Sequence, residues 1–170
     1  VETLVIQEAG GTRSTIAAGI AAVARIKAKA DRAERSQMTV ADLVVGTICG
    51  GSDGTSGITA NPAVGRCFDR LVAAGATCMF EETGELIGCE QVMAARAITP
   101  ELGAEIESAV AKAERYYSTL GYGSFAPGNA DGGLTTQEEK SLGAYSKSGG
   151  SPISGLIRPG EVPLGPGLYL

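Results

Sequence analysis

With 170 residues, 44% of them hydrophobic and 19% charged, the chain has the material for one core burying roughly 70% of its unfolded surface, which excludes a disordered segment. Its formal net charge of −5, without a lysine and arginine cluster, excludes a nucleic-acid binder, and no apolar run approaches the roughly 18 residues that cross a membrane. The absence of histidine removes Ser-His-Asp and Cys-His chemistry and histidine metal ligation, so any acid, base or ligand here is Asp, Glu, Lys, Tyr, Cys or backbone.

In chain order, Thr3-Leu4-Val5-Ile6-Gln7 reads as a short strand stopped by Gly10-Gly11. Thr12 then caps a helix on which Ile16, Ile20, Val23 and Ile26 recur at helical spacing, and Lys27 to Gln37 forms its polar end and a surface connection. Asp42 to Ile48 is apolar almost throughout, as a parallel strand covered on both faces requires. Asn61-Pro62 starts the next helix, with Val64, Phe68, Leu71 and Val72 turned inward, and Gly75 ends it. Ala76 to Phe80 follows as a strand, and a helix is predicted over Leu86 to Arg96. Thr99-Pro100-Glu101 opens a long amphipathic helix with Leu102, Ile106, Val110, Ala113 and Tyr117 on one face. A glycine-rich loop leads from Gly121 to Thr135-Thr136, where a glutamate three residues after either threonine predicts a capping box. From Ser148 the chain reads as loop, with Pro152, Pro159, Pro163 and Pro166, until the strand-like Gly167-Leu168-Tyr169-Leu170. The alternation predicts one α/β domain over residues 1–170, with a Rossmann-like, mainly parallel sheet and helices on both faces.

None of the four cysteines forms a C-x-x-C pair. Cys67, Cys78 and Cys89 lie in apolar surroundings and read as small buried hydrophobes in a reducing compartment. Val1-Glu2 opens without a basic-then-apolar signal pattern, so a cytoplasmic protein is expected.

Three segments carry candidate chemistry. The loop Cys49-Gly50-Gly51-Ser52-Asp53-Gly54 leaves a buried strand at its carboxyl end, where open α/β sheets bind ligands. From spacing alone its glycines either ease a tight crossover or cradle a ligand with backbone N–H groups, beside Cys49, Ser52 and Asp53. Glu82 and Glu85, three apart after the next strand, are either partners of a helix dipole or, with Asp53, an oxygen-rich site for Mg²⁺, Mn²⁺ or Fe²⁺. Asn129, Thr135 and Thr136 border a helix start suited to a carboxylate or sulfonate. Lys140 is either a salt-bridge partner or a group that balances substrate charge or acts as a base.

Cys49 to Gly65, Glu82-Thr83-Gly84-Glu85 with Gly88 and Glu90, and Pro127-Gly128-Asn129 through Gly132-Gly133-Leu134-Thr135-Thr136 to Glu139-Lys140-Ser141-Leu142-Gly143 resemble, in order, the signature of the galactarate/altronate dehydratase family in its C-terminal domain. The resemblance implies a fragment of a longer enzyme, or one subunit of an enzyme split over two chains, that works as an oligomer or with a small partner subunit. It implies a hydro-lyase acting on a small anionic sugar acid: a proton leaves the carbon next to the carboxylate, the neighbouring hydroxyl departs, and a 2-keto-3-deoxy acid results. Related large subunits expel sulfite as sulfolactate sulfo-lyases. Under this reading Cys49, Asp53 and Glu82 are expected to hold a divalent metal, Fe²⁺ foremost. Gly50, Gly51, Ser52, Asn129, Thr135 and Thr136 bind substrate, and Lys140 and Glu85 are catalytic. The rivals from other classes are a nucleotide-binding module, which the lack of any G-x-G-x-x-G or G-x-x-x-x-G-K-[ST] string disfavours, and a catalytically silent assembly domain.

Overall fold

The computed structural model describes residues 2–80, 83–121 and 123–170, and divides into two compact units, Val1–Gln37 and Met38–Leu170.

In the first unit the expected strand at Thr3–Gln7 does not form. The Ala9 amide donates to the Val5 carbonyl and the Gly11 amide to the Ile6 carbonyl, both at 2.9 Å, so the segment curls on itself where a strand would need a neighbour to receive those bonds. The helix α1, Thr12–Ala30, begins where expected, but Gly11 occupies the cap position and Thr12 is its first residue. The side chain that reaches back belongs to Thr15, whose hydroxyl donates to the Gly11 carbonyl at 2.9 Å. Ile16, Ile20, Val23 and Ile26 form an exposed stripe.

The second unit is built on a four-stranded sheet in the order β1-β2-β4-β3, all pairs parallel, from β1 (Val44–Thr47), β2 (Thr77–Phe80), β3 (Ile153–Gly155) and β4 (Gly167–Tyr169). In register, Cys78 of β2 stands beside Val45 on one side and Leu168 on the other. The parallel sheet with interleaved helices bears out the α/β class, while the strand order leaves the narrower Rossmann-like label unestablished. The C-terminal apolar run is a central strand. Ile153–Gly155, expected as loop, is an edge strand whose apolar residue is wholly buried.

The helices are α2 (Ala60–Ala73), α3 (Glu90–Ala94), α4 (Pro100–Thr119), α5 (Pro127–Asp131) and α6 (Gln137–Tyr145). Two caps are as expected: the Thr99 side chain accepts from the Leu102 amide at 3.2 Å, and Thr136 accepts from Glu139 at 3.1 Å. Asn61 lies inside α2, and its side chain reaches across to the Gly143 carbonyl at 3.0 Å. The helix expected over Leu86–Arg96 shortens to α3, because a tight turn closes first, with the Cys89 amide donating to Leu86 at 2.8 Å and Gly88 to the Glu90 carboxylate at 2.7 Å. Pro127–Asp131, expected within a loop, makes one helical turn.

Phe68, Cys78, Phe80, Leu86, Met93, Ile106, Val110, Ile153 and Leu168 form the core. Cys78 and Cys89 are buried as expected, but Cys67 is exposed, next to buried Phe68 on the outward side of α2.

The packing of α2 on the segment after α6 permits no side chain at Gly65, where a Cβ would stand 2.1 Å from the Ser146 carbonyl oxygen and 2.7 Å from the Gly149 nitrogen. Gly65→Ala is therefore expected to lower stability by about 3 kcal/mol, read as a lower urea midpoint. A midpoint equal to wild type would contradict this close approach.

Candidate active site

Because β1 and β2 are adjacent and parallel, the segments leaving their carboxyl ends emerge at the same rim of the sheet. One carries Cys49 to Ser56 and the other the single turn Thr83–Glu85. The Cys49 sulfur lies 2.8 Å from the Ser52 hydroxyl, and that hydroxyl lies 3.4 Å from each Glu85 carboxylate oxygen. From α6, the Lys140 ammonium approaches Glu85 Oε1 at 3.3 Å, with side-chain exposures of 7% and 15% for lysine and glutamate. Lys140 also donates to the Ser124 carbonyl. Four of the residues singled out from the sequence thus form one continuous polar chain, Cys49, Ser52, Glu85 and Lys140.

The loop is held by unusual backbone and by Asn129. Ser52 is the one described residue other than glycine with positive φ, at 47°, a conformation that costs on the order of 1 kcal/mol and persists only where the surroundings enforce it. Asn129, buried at 5% exposure, enforces it. Its amide nitrogen donates to the Gly51 and Ser52 carbonyls, each at 3.1 Å, and its oxygen accepts from the Ala126 amide at 2.8 Å. Both amide protons and one oxygen lone pair are spent on the fold, so Asn129 shapes the loop from beneath. Gly50 and Gly51 keep space open above it, with no atom within 4 Å of a Cβ built at either.

Asp53, Thr135 and Thr136 each hold a local turn or helix start. Asp53 Oδ1 accepts from the Thr55 hydroxyl, the Thr55 amide and the Ser56 amide, and these bonds, the hydroxyl foremost, hold the carboxyl below the usual aspartate range. The Thr135 hydroxyl and amide both donate to the Glu139 carboxylate at 2.7 Å, holding that group low as well, while Thr136 caps α6. Burial pushes the Cys49 thiol up; the Ser52 hydroxyl opposes that, and the bond and charge of Glu85 reinforce it. Cys49 is accordingly a neutral thiol at neutral pH.

Among the described residues no three His, Cys, Asp or Glu side chains converge as metal ligands. Glu82 lies outside the described residues, Asp53 serves its own turn, and Glu85 already has a cation at 3.3 Å. The described donor set does not fit a divalent-metal centre by itself.

A cavity of about 210 Å³ opens beside this chain of groups, bordered by Ser52, Asp53, Asn61, Glu139 and Lys140 under the apolar Ile58 and Leu142. Its floor depends on the contact of Gly57 with α6, where a Cβ on Gly57 would sit 2.9 Å from the Gly143 Cα. Sequence reasoning missed Ser124, Gln137 and Ser141. The Ser124 hydroxyl donates to the Gly84 carbonyl at 2.9 Å and lies 2.7 Å from the Gln137 amide, which reaches the fully buried Ser141 at 3.0 Å. Ser124 meets partners 13, 16 and 40 residues away, and no local spacing signals that.

The fold and rim define an α/β domain that gathers a buried lysine, a carboxylate, a thiol and a hydroxyl at the carboxyl ends of parallel strands. The family model for D-galactarate/altronate dehydratase, C-terminal, matches residues 40–170; the chain belongs to this family. It is 37% identical over 156 residues to an altronate dehydratase of Bacillus subtilis (strain 168), covering 90% of this chain and 31% of that protein. It is 40% identical over 146 residues to the galactarate dehydratase (L-threo-forming) of Escherichia coli (strain K12), covering 82% of this chain and 27% of the relative. With the (2R)-sulfolactate sulfo-lyase subunit beta of Chromohalobacter salexigens it shares 38% identity over 168 residues, 95% of this chain and 43% of the relative. The chain thus spans less than half the length of each. The first two are by name dehydratases, hence carbon-oxygen lyases.

Because the Asp53 and Glu139 carboxyls are depressed in the folded state, their stabilisation is present above the unfolded values near pH 4 and is lost as pH falls through the lower folded ones. Asp53→Asn, which keeps an acceptor for Thr55 and Ser56, is expected to reduce the drop in Tm between pH 6 and pH 3. An undiminished drop would show that the Asp53 turn carries no such linkage.

Proposed function

We propose that this chain supplies part of the active centre of a sugar-acid hydro-lyase of the altronate or galactarate type. The buried Lys140–Glu85 pair, in contact with the Cys49–Ser52 loop, carries this reading. A carboxylate and an ammonium side by side support one division of roles. Glu85 takes the proton from the carbon next to the substrate carboxylate, and Lys140 gives one to the hydroxyl that departs. The bond to that hydroxyl breaks as the carbon–carbon double bond forms, and the resulting enol becomes the 2-keto-3-deoxy acid. Ser52 and the open backbone at Gly50 and Gly51 face the anion. The cavity of about 210 Å³ is below the usual range for drug-sized ligands and suits a small acid.

Sulfite elimination is the second reading, favoured by the extent of the match with the sulfo-lyase subunit. The same proton abstraction expels sulfite in place of water. That relative is named as a subunit, and we propose that this chain likewise works in an oligomer or with a partner subunit. Its four free thiols support a reducing, cytoplasmic setting. Any Fe²⁺, Mn²⁺ or Mg²⁺ would draw ligands from Glu82 or from outside this chain, with Cys49 as at most one of them; no step above passes through a metal.

The test is the native full-length protein, loaded anaerobically with Fe²⁺ or Mn²⁺ and offered altronate, galactarate and sulfolactate. Keto-acid from either sugar acid is expected, and Lys140→Met should lower kcat about 10²–10⁴-fold. Sulfite release from sulfolactate alone would select the second reading. No product from any of the three would overturn both.

A further inference from the structure

Resting on this lyase reading, the geometry points to Ser124 as a positioning residue that holds Glu85 and Lys140 at their working separation. Ser124 bonds Lys140 and also Gly84, the residue before Glu85. Its carbonyl accepts the Lys140 ammonium. Its hydroxyl donates to the carbonyl of Gly84, the residue before Glu85, at 2.9 Å.

Helix α6 grips this serine twice. Gln137 and Lys140 are three residues apart and project from the same face; the first reaches the serine hydroxyl at 2.7 Å and the second its carbonyl. A hydroxyl has one proton to donate, and the Gly84 carbonyl can only accept. In the structure the Gln137 oxygen faces Ser124 and its nitrogen donates to Ser141; exchanging the amide oxygen and nitrogen lets its N–H donate to Ser124 and its oxygen accept from the Ser141 hydroxyl, which satisfies every partner. Ser141, fully buried, anchors the far end.

The consequence is a restrained ion pair. A charge-assisted N–H···O bond prefers about 2.7–2.9 Å, yet Lys140 and Glu85 stand at 3.3 Å while the ammonium bonds to Ser124. Ser124 keeps the ammonium from closing onto the carboxylate, and its hydroxyl fixes the turn from which Glu85 projects. Removing the hydroxyl frees that turn while leaving every group that faces substrate in the chain.

The test uses the native full-length protein, with Ser124→Ala, Ser124→Thr and Gln137→Leu compared for steady-state turnover and thermal unfolding. The expected result is about a 10-fold lower kcat with KM within a factor of about two for Ser124→Ala, largely recovered in Ser124→Thr, which keeps the hydroxyl. Gln137→Leu should shift kcat in the same direction, and it decides the matter if Ser124→Ala does not fold. Wild-type kcat in both, or a loss confined to KM, would overturn the assignment. A second readout is independent of turnover: the rate at which an acid anhydride acylates Lys140, followed by mass spectrometry of the peptide. Ser124→Ala should raise that rate, and an unchanged rate would overturn the clamp. Wild-type protein inactive on all three acids, yet showing faster Lys140 acylation in the variant, would sink the lyase reading and leave the clamp standing.

Discussion

Withdrawing a lysine ammonium from water costs several kcal/mol unless charge and hydrogen bonds compensate for the lost hydration, and Lys140 is 93% withdrawn by the measure of its 7% side-chain exposure. Glu85 supplies the opposite charge and Ser124 the carbonyl. Both must therefore be delivered to one point from chain segments distant in sequence, and much of the architecture at the rim is read most simply as doing that. The β2 strand delivers Glu85 through one tight turn, α6 delivers the lysine, and the segment ahead of α5 delivers Ser124.

The Cys49 loop is fixed on top of this arrangement by contacts of a different kind. Asn129 holds the Gly51 and Ser52 carbonyls from below, Asp53 organises the turn that follows, and Gly57 lies against Gly143 of α6 at a distance that leaves no room for a side chain on Gly57. The glycines of the family signature therefore divide into two groups. Gly57 and Gly65 let backbones touch, while Gly50 and Gly51 leave open space.

How much of this was legible in the sequence follows the range of the interactions. The parallel strands at residues 44–47 and 77–80 and the long α4 were readable because apolar runs and the Thr99-Pro100 start are local, but the first strand, expected to be covered on both faces, lies at the sheet's edge with Val44 63% exposed. The strand at Ile153–Gly155 was hidden because three residues among prolines and glycines carry no periodic signal, and it forms only because β4 and the segment after α3 offer partners. The false strand at Thr3–Gln7 shows the reverse, a β-rich run with nothing to pair. At the site, Lys140, Glu85, Ser52 and Cys49 could be singled out by residue type. Asn129, Thr135 and Thr136 were singled out as ligands of substrate; in the fold Asn129 also bonds the Cys49 loop and the two threonines the start of α6. Ser124 could not be found, because its role exists only where three segments meet.

The central claim is that Lys140 and Glu85 act as one acid–base unit, and a double-mutant cycle on the native full-length enzyme tests it most directly. With kcat measured for Glu85→Gln, Lys140→Met and the double variant, the expected result is strong non-additivity, the double variant being about as slow as the slower single one. Rate losses that multiply would contradict a joint role, and a double variant that retains wild-type turnover would place the chemistry elsewhere.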